Sequence, residues 1–166
     1  MSALLNKVNK FADRGAVAEK AVQKYLTDWA QHPHREFSRM VDSKAAGRTI
    51  KAAAADFEFF ALQKDCGPRG DETRRHHGLI EVKETRHPYR LEKKRVTQLA
   101  RLRKRTNVGG TCLVLVFHSE TNLWRCIDVP YMTADGNLTG SWDMTNLPTL
   151  PTAGDALRRQ APQVFR

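Results

Sequence analysis

With 166 residues, 40% of them hydrophobic, the chain has material for one domain and one core rather than several. A formal net charge of +10 favours a polyanionic partner, and no apolar run approaches the roughly 20 residues that a membrane helix needs. Three cysteines (Cys66, Cys112 and Cys126) are odd in number and lack paired spacing, which argues against a disulfide framework or a zinc site and for a reducing, cytoplasmic setting.

Gly15 to Trp29 reads as an amphipathic helix, with Val17, Ala18, Ala21, Val22, Tyr25, Leu26 and Trp29 at helical spacing. Asp13 is its expected cap, and His32-Pro33-His34 ends it. Arg35 to Val41 is expected as a short strand and Asp42 to Arg48 as a polar loop. The small-residue run Lys51-Ala52-Ala53-Ala54-Ala55 then leads into a strand from Asp56 to Leu62. Gln63 to His77 is a polar connection containing Gly and Pro, either a long hairpin or a flap. Leu79 to Lys83 is the next strand, and His87-Pro88 breaks it off.

Leu91 to Thr106 reads as a strongly basic helix. Leu91, Val96, Leu99 and Leu102 give it an apolar stripe, and Lys93, Lys94, Arg101, Lys104 and Arg105 cover the rest. Asn107-Val108-Gly109-Gly110 stops it. Thr111 to His118 is nearly all apolar, as a strand buried on both faces would be. Leu123 to Val129 alternates like a more peripheral strand. The pattern weakens from Pro130, and Gly154 to Gln160 is expected as a last short helix. A basic helix between two strands implies a crossover, hence an α/β fold with a mixed central β-sheet flanked by helices. Residues 1–147 are expected to form the domain, and 148–166 a Pro-containing C-terminal tail.

The chemistry concentrates in Gly78-Leu79-Ile80-Glu81-Val82-Lys83-Glu84-Thr85. Glu81 and Lys83 are two residues apart, so on a strand they share one face while Ile80 and Val82 enter a core on the other. Such a pair alone is often a plain surface ion pair. Asp56 on a preceding strand changes the odds: one Asp followed by Glu-x-Lys holds a hard cation beside a polarising amine. Mg²⁺, with Mn²⁺ as substitute, is the expected cation, ligated by Asp56, Glu81 and the Val82 carbonyl. Lys83 would orient water or stabilise a pentavalent phosphate as a point charge. Between Arg69 and Arg105 stand thirteen Lys or Arg against five acids, so most of the excess charge surrounds this pair.

This arrangement resembles the PD-(D/E)xK nuclease superfamily, with Asp56, Glu81 and Lys83 at its signature positions. The likeness is tighter to the Holliday junction resolvases of the recombination-protein-U type, a phage version included. It rests on Asp56-Phe57, Glu81-Val82-Lys83-Glu84-Thr85, Gln98, Gly109-Gly110 and the apolar strand Leu113 to Phe117, in that order. The resemblance implies a restriction-endonuclease-like core and metal-dependent hydrolysis of branched DNA by a homodimer in the cytoplasm, a host cell's if the chain is phage-encoded. It also implies a metal ligand at Glu19 and a catalytic Gln98.

Two departures stand out. Ala55 occupies the position before the Asp, and the gap from Asp56 to Glu81 is long. The extra length reads as an insertion carrying Arg69, Arg74 and Arg75, suited to DNA phosphates together with Lys93, Lys94, Arg101, Lys104 and Arg105. The other reading of the gap gives the first metal position to Asp71 or Glu72. Two competing functions remain: a restriction- or repair-type endonuclease on duplex or flap DNA, and a non-catalytic basic nucleic-acid-binding protein.

Overall fold

Period-two alternation builds the centre of the chain. In the computed structural model, which describes residues 2–40, 55–67 and 70–166, β1 (Arg35–Arg39), β2 (Phe57–Gly67), β3 (Gly70–Thr85), β5 (Thr111–His118) and β6 (Leu123–Asp128) form one sheet in the order β1-β2-β3-β5-β6. Neighbours are antiparallel except β3 and β5, which run parallel. Their crossover passes through β4 (Arg90–Glu92), a 3₁₀ turn (Lys93–Arg95) and α2 (Leu99–Asn107). The expected mixed sheet flanked by helices is therefore present.

Two cores lie on opposite faces of the sheet. One gathers Phe57, Phe59, Ile80, Val82, Leu113 and Leu115 beneath α1 (Ser2–Trp29) and α4 (Ala153–Gln160). The other gathers Leu79, Cys112, Val114, Val116 and Ile127 beneath α2, α3 (Val129–Met132) and a small ribbon of β4 with β7 (Ser141–Asp143). β5 contributes to both cores, as its uninterrupted apolar run demands. Among the described residues no helix is long and apolar enough to cross a membrane.

Several expectations are corrected. α1 begins at Ser2, so Asp13 lies inside the helix rather than at its cap. Leu4, Leu5, Val8 and Phe11 carry the helical spacing that announces the longer element. Of the two readings of Gln63 to His77, the long hairpin holds: β2 and β3 stay in register from Phe57↔Ile80 out to Gly67↔Gly70.

The basic helix is shorter than its charge run. Leu91 is in β4, paired with Trp142, and the α-helix starts only at Leu99. The tail from 148 is built into the first core, where Ala153, Ala156, Leu157, Val164 and Phe165 are all buried. Tyr25 Oη and Trp29 Nε1 donate to the Phe165 and Val164 carbonyls at 3.1 and 3.2 Å, tying the C-terminus to α1. The expected loop Asp42 to Arg48, the run Lys51 to Ala54 and Arg69 lie outside the described residues.

Candidate active site

The site forms where one ladder stops and its neighbour continues. β2 pairs with β3 only as far as Phe57↔Ile80, while β3 runs on to Thr85 beside β5. Residues 81–85 therefore have β5 on one edge and, among the described residues, no strand on the other. Asp56, the residue before β2, occupies that edge. Its backbone N–H donates to the Ile80 carbonyl at 3.2 Å, and its Oδ2 accepts from the Val82 N–H at 2.6 Å. The carboxylate thus continues the ladder by one bond. The N–H and C=O of one strand residue point to the same edge, so the Val82 carbonyl also faces the Asp56 side.

Glu81 and Lys83 lie on the α2 face with Leu79, and Ile80 and Val82 lie in the opposite core, as the alternation requires. Glu81 is 3% exposed and forms an ion pair with Lys83. The Lys83 side chain keeps a fifth of its surface in solvent, so the pair lies at the lip of the site. Burial pushes the Glu81 carboxyl above its ordinary range, and the charges of Asp56 and Glu19 push the same way against the pull of Lys83. Asp56, Glu81, Lys83 and Glu19, drawn from just ahead of β2, from β3 and from α1, thus share one electrostatic neighbourhood.

Glu19 is engaged otherwise. Its Oε2 accepts from Arg39 Nη2 at 2.7 Å, joining α1 to β1. Among the described residues no three His, Cys, Asp or Glu side chains are gathered as a metal cage. That leaves two carboxylates and a backbone carbonyl, an all-oxygen donor set that suits a hard divalent cation retaining several of its waters. The repulsion between the Asp56 and Glu81 charges is what such a cation would relieve, so the residues present fit the expected Mg²⁺.

Gln98 ends up just ahead of α2, where its carbonyl accepts from the N–H groups of Arg101 and Leu102. Among the described residues its side chain makes no hydrogen bond to Glu81 or Lys83. Asp71 and Glu72 lie on β3 after all, but opposite Cys66 and Asp65 near the hairpin tip. That is nine or more residues from Glu81, roughly 30 Å along a strand, so they are not neighbours of the Glu-x-Lys pair.

The expected phosphate-binding residues divide into groups. Arg74 and Arg75 are exposed on the hairpin arm, opposite Gln63 and Leu62. Arg101 and Lys104 are exposed on α2, and Arg105 reaches Glu58 at 3.5 Å. Lys94 is exposed and pairs with Glu92 at 3.1 Å. Lys93 departs from the expectation: it is 4% exposed, and its Nζ donates to both oxygens of Asp135 and to the Asn137 carbonyl. Its ammonium anchors the 3₁₀ turn to the loop after α3 and does not face solvent.

The structure adds Phe60 and Leu62, both exposed on the α2-side face of the hairpin, with His77 stacked on Phe60 at 4.5 Å. The sequence signal was there: Phe57-Glu58-Phe59-Phe60-Ala61-Leu62 is apolar at both parities beyond Glu58, more than a one-sided strand needs. The chain matches no protein-family model and no curated protein.

Proposed function

We propose that the protein is a metal-dependent DNA endonuclease that hydrolyses phosphodiester bonds, acts on branched DNA of the four-way-junction kind, and works as a homodimer. The observation that carries this reading is the edge of β3 beyond Ile80, where the Asp56 carboxylate meets the backbone beside the buried Glu81–Lys83 pair. Asp56, Glu81 and the Val82 carbonyl would hold Mg²⁺, which when bound supplies charge relief on the phosphate and a more acidic water. Lys83 presents its ammonium at the solvent-facing lip, where a scissile phosphate would arrive. The surrounding excess of Lys and Arg suits a polyanion read by its backbone and shape. Cutting a junction symmetrically requires two copies related by a twofold axis.

A competing reading also has an observation behind it: the Asp56–Val82 hydrogen bond and the Glu81–Lys83 pair are sound structural roles in a non-catalytic nucleic-acid-binding protein. Asp56→Asn and Lys83→Ala separate the two. An Asn oxygen can still accept from the Val82 N–H, so the first variant keeps the edge and loses the charge. Each variant is expected to lower cleavage of a synthetic four-way junction in Mg²⁺ by about 10²–10³-fold while leaving junction binding within about twofold. Chelator should abolish cutting by the wild type, and a matched linear duplex should be cut more slowly. Undiminished cutting by both variants refutes the site. Absence of cutting by the wild type, with binding retained, favours the binding protein.

A further inference from the structure

A second polar site lies on the same sheet face, two strands from Lys83. In register, Lys83 sits beside Val116, and Val116 opposite Arg125. That spacing is about 10 Å between the outer backbones. Arg125 and its neighbour His118 line an open cavity of about 550 Å³ at the end of the sheet, bordered by the segments Pro88–Tyr89 and Thr145–Thr149 and reached by Arg159 of α4.

Arg125 is 4% exposed, and among the described residues no carboxylate pairs with it. It is held by neutral groups: Nε donates to the Leu147 carbonyl at 3.1 Å, Nη1 donates to the Pro88 carbonyl, and the guanidinium lies 5.7 Å from the Tyr89 ring centre. A buried cation without a counter-charge is costly to maintain.

His118 is 2% exposed, and its Nε2 lies 2.7 Å from Arg125 Nη1. A guanidinium only donates, so Nε2 must accept and the ring proton must sit on Nδ1. Nδ1 is buried and makes no hydrogen bond. The His87 backbone lies at the margin of hydrogen-bonding geometry to the ring. The nearest acid, Glu84, is held by Ser119 Oγ at 2.5 Å. The cavity wall therefore combines an uncompensated guanidinium, a second arginine and no carboxylate.

We propose that this cavity is an anion site for a phosphoryl group, with Arg125 and Arg159 as its donors and the His118 ring beside Arg125 as its reporter. The tetrahedral oxyanion supplies the counter-charge that Arg125 lacks and suits the fork geometry of a guanidinium. The volume exceeds what one phosphate fills, so the group would come with its sugar, either in a nucleic-acid strand running on from the Lys83 side or as a free nucleotide. The site does not depend on the cleavage chemistry proposed for Asp56 and Glu81.

The test is an imidazole-region ¹⁵N–¹H NMR titration of the full chain with inorganic phosphate, against chloride at matched ionic strength. The His118 Nδ1–H signal is expected to shift and saturate with phosphate but not with chloride. Arg159→Ala, an exposed position where folding is not at risk, should weaken that binding about tenfold, and Arg125→Lys should weaken it too. Asp56→Asn should bind phosphate as the wild type does, so failure of the nuclease reading would leave this result intact. Competition by a short single-stranded oligonucleotide identifies a strand phosphate as the natural occupant, and competition by a mononucleotide alone identifies a free nucleotide. A shift that chloride reproduces, or a titration unchanged in both arginine variants, overturns the proposal.

Discussion

Glu81 carries its charge against its surroundings. Burial raises its carboxyl above the ordinary 4.5, and the nearby Asp56 and Glu19 carboxylates add to the effect. The sign of the pH dependence follows. Between 4.5 and the raised value, the folded chain holds a proton that the unfolded chain has released, so stability falls as pH rises through that window. Below both values the group is protonated in both states and the cost disappears. Glu81→Gln removes the titration. The variant is therefore expected to be more stable than the wild type at neutral pH, with the advantage shrinking as pH falls towards 4.5 and below. Lys83 loses its partner in the variant, but with a fifth of its side chain already in solvent it can turn to water. Urea midpoints across that pH range check this, and a gap that is constant with pH would show that repacking, not the charge, sets the difference. A residue that lowers stability where it is ionised is what a site selected for chemistry, rather than for folding, would contain.

At the scale of elements, the β2–β3–β5 junction depends on Gly78. A Cβ there would stand 2.1 Å from the Thr111 carbonyl oxygen and 2.4 Å from the Phe59 ring. The oxygen belongs to the neighbouring strand of the parallel pair, where Gly78 is in register with Thr111. The ring belongs to the facing residue of the antiparallel pair. Neither can withdraw without breaking register three residues from Glu81. Gly78→Ala should therefore cost about 3 kcal/mol. Gly15→Ala, inside α1 with open space around its Cβ, should instead gain about 0.5–1 kcal/mol. Denaturant unfolding of the two variants checks both signs.

How far the sequence could be read follows the range of the interaction involved. Strands whose period is local were legible: Ile80 and Val82 against Glu81 and Lys83, the run Thr111 to His118, and the alternation after Leu123. The charge run Leu91 to Thr106 was not, because Leu91 and Val96 are five apart, a non-helical step that uniform basicity conceals. What makes Leu91 a strand residue is Trp142, 51 positions later. Lys93 likewise looks no different from Lys94 until Asp135 closes on it from 42 residues away. The C-terminal segment read as a tail because its partners, Tyr25, Trp29 and Phe59, lie at the other end of the sequence.

For the whole molecule, charge is the dominant property. A net charge of +10 on 166 residues opposes compaction and draws polyanions. The folded arrangement decides which cations remain available to a partner. Lys94, Lys104 and Arg105 reach solvent around α2, whereas Lys93 does not. Each phosphate contact made by an exposed cation releases condensed counterions, so log K falls with log salt by about 0.9 per contact. Lys94→Ala, Lys104→Ala and Arg105→Ala are thus each expected to weaken DNA binding at low salt and to flatten that slope by close to one unit where the side chain meets a phosphate. Lys93→Ala should leave the slope unchanged and lower stability instead, since it leaves Asp135 unpaired and the Asn137 carbonyl without its donor. Junction-binding isotherms at several salt concentrations, run beside thermal unfolding, distinguish the two classes. If the three exposed variants keep the wild-type slope, the α2 side of the molecule does not meet DNA, and the hairpin arm with Arg75 and Phe60 becomes the face to test.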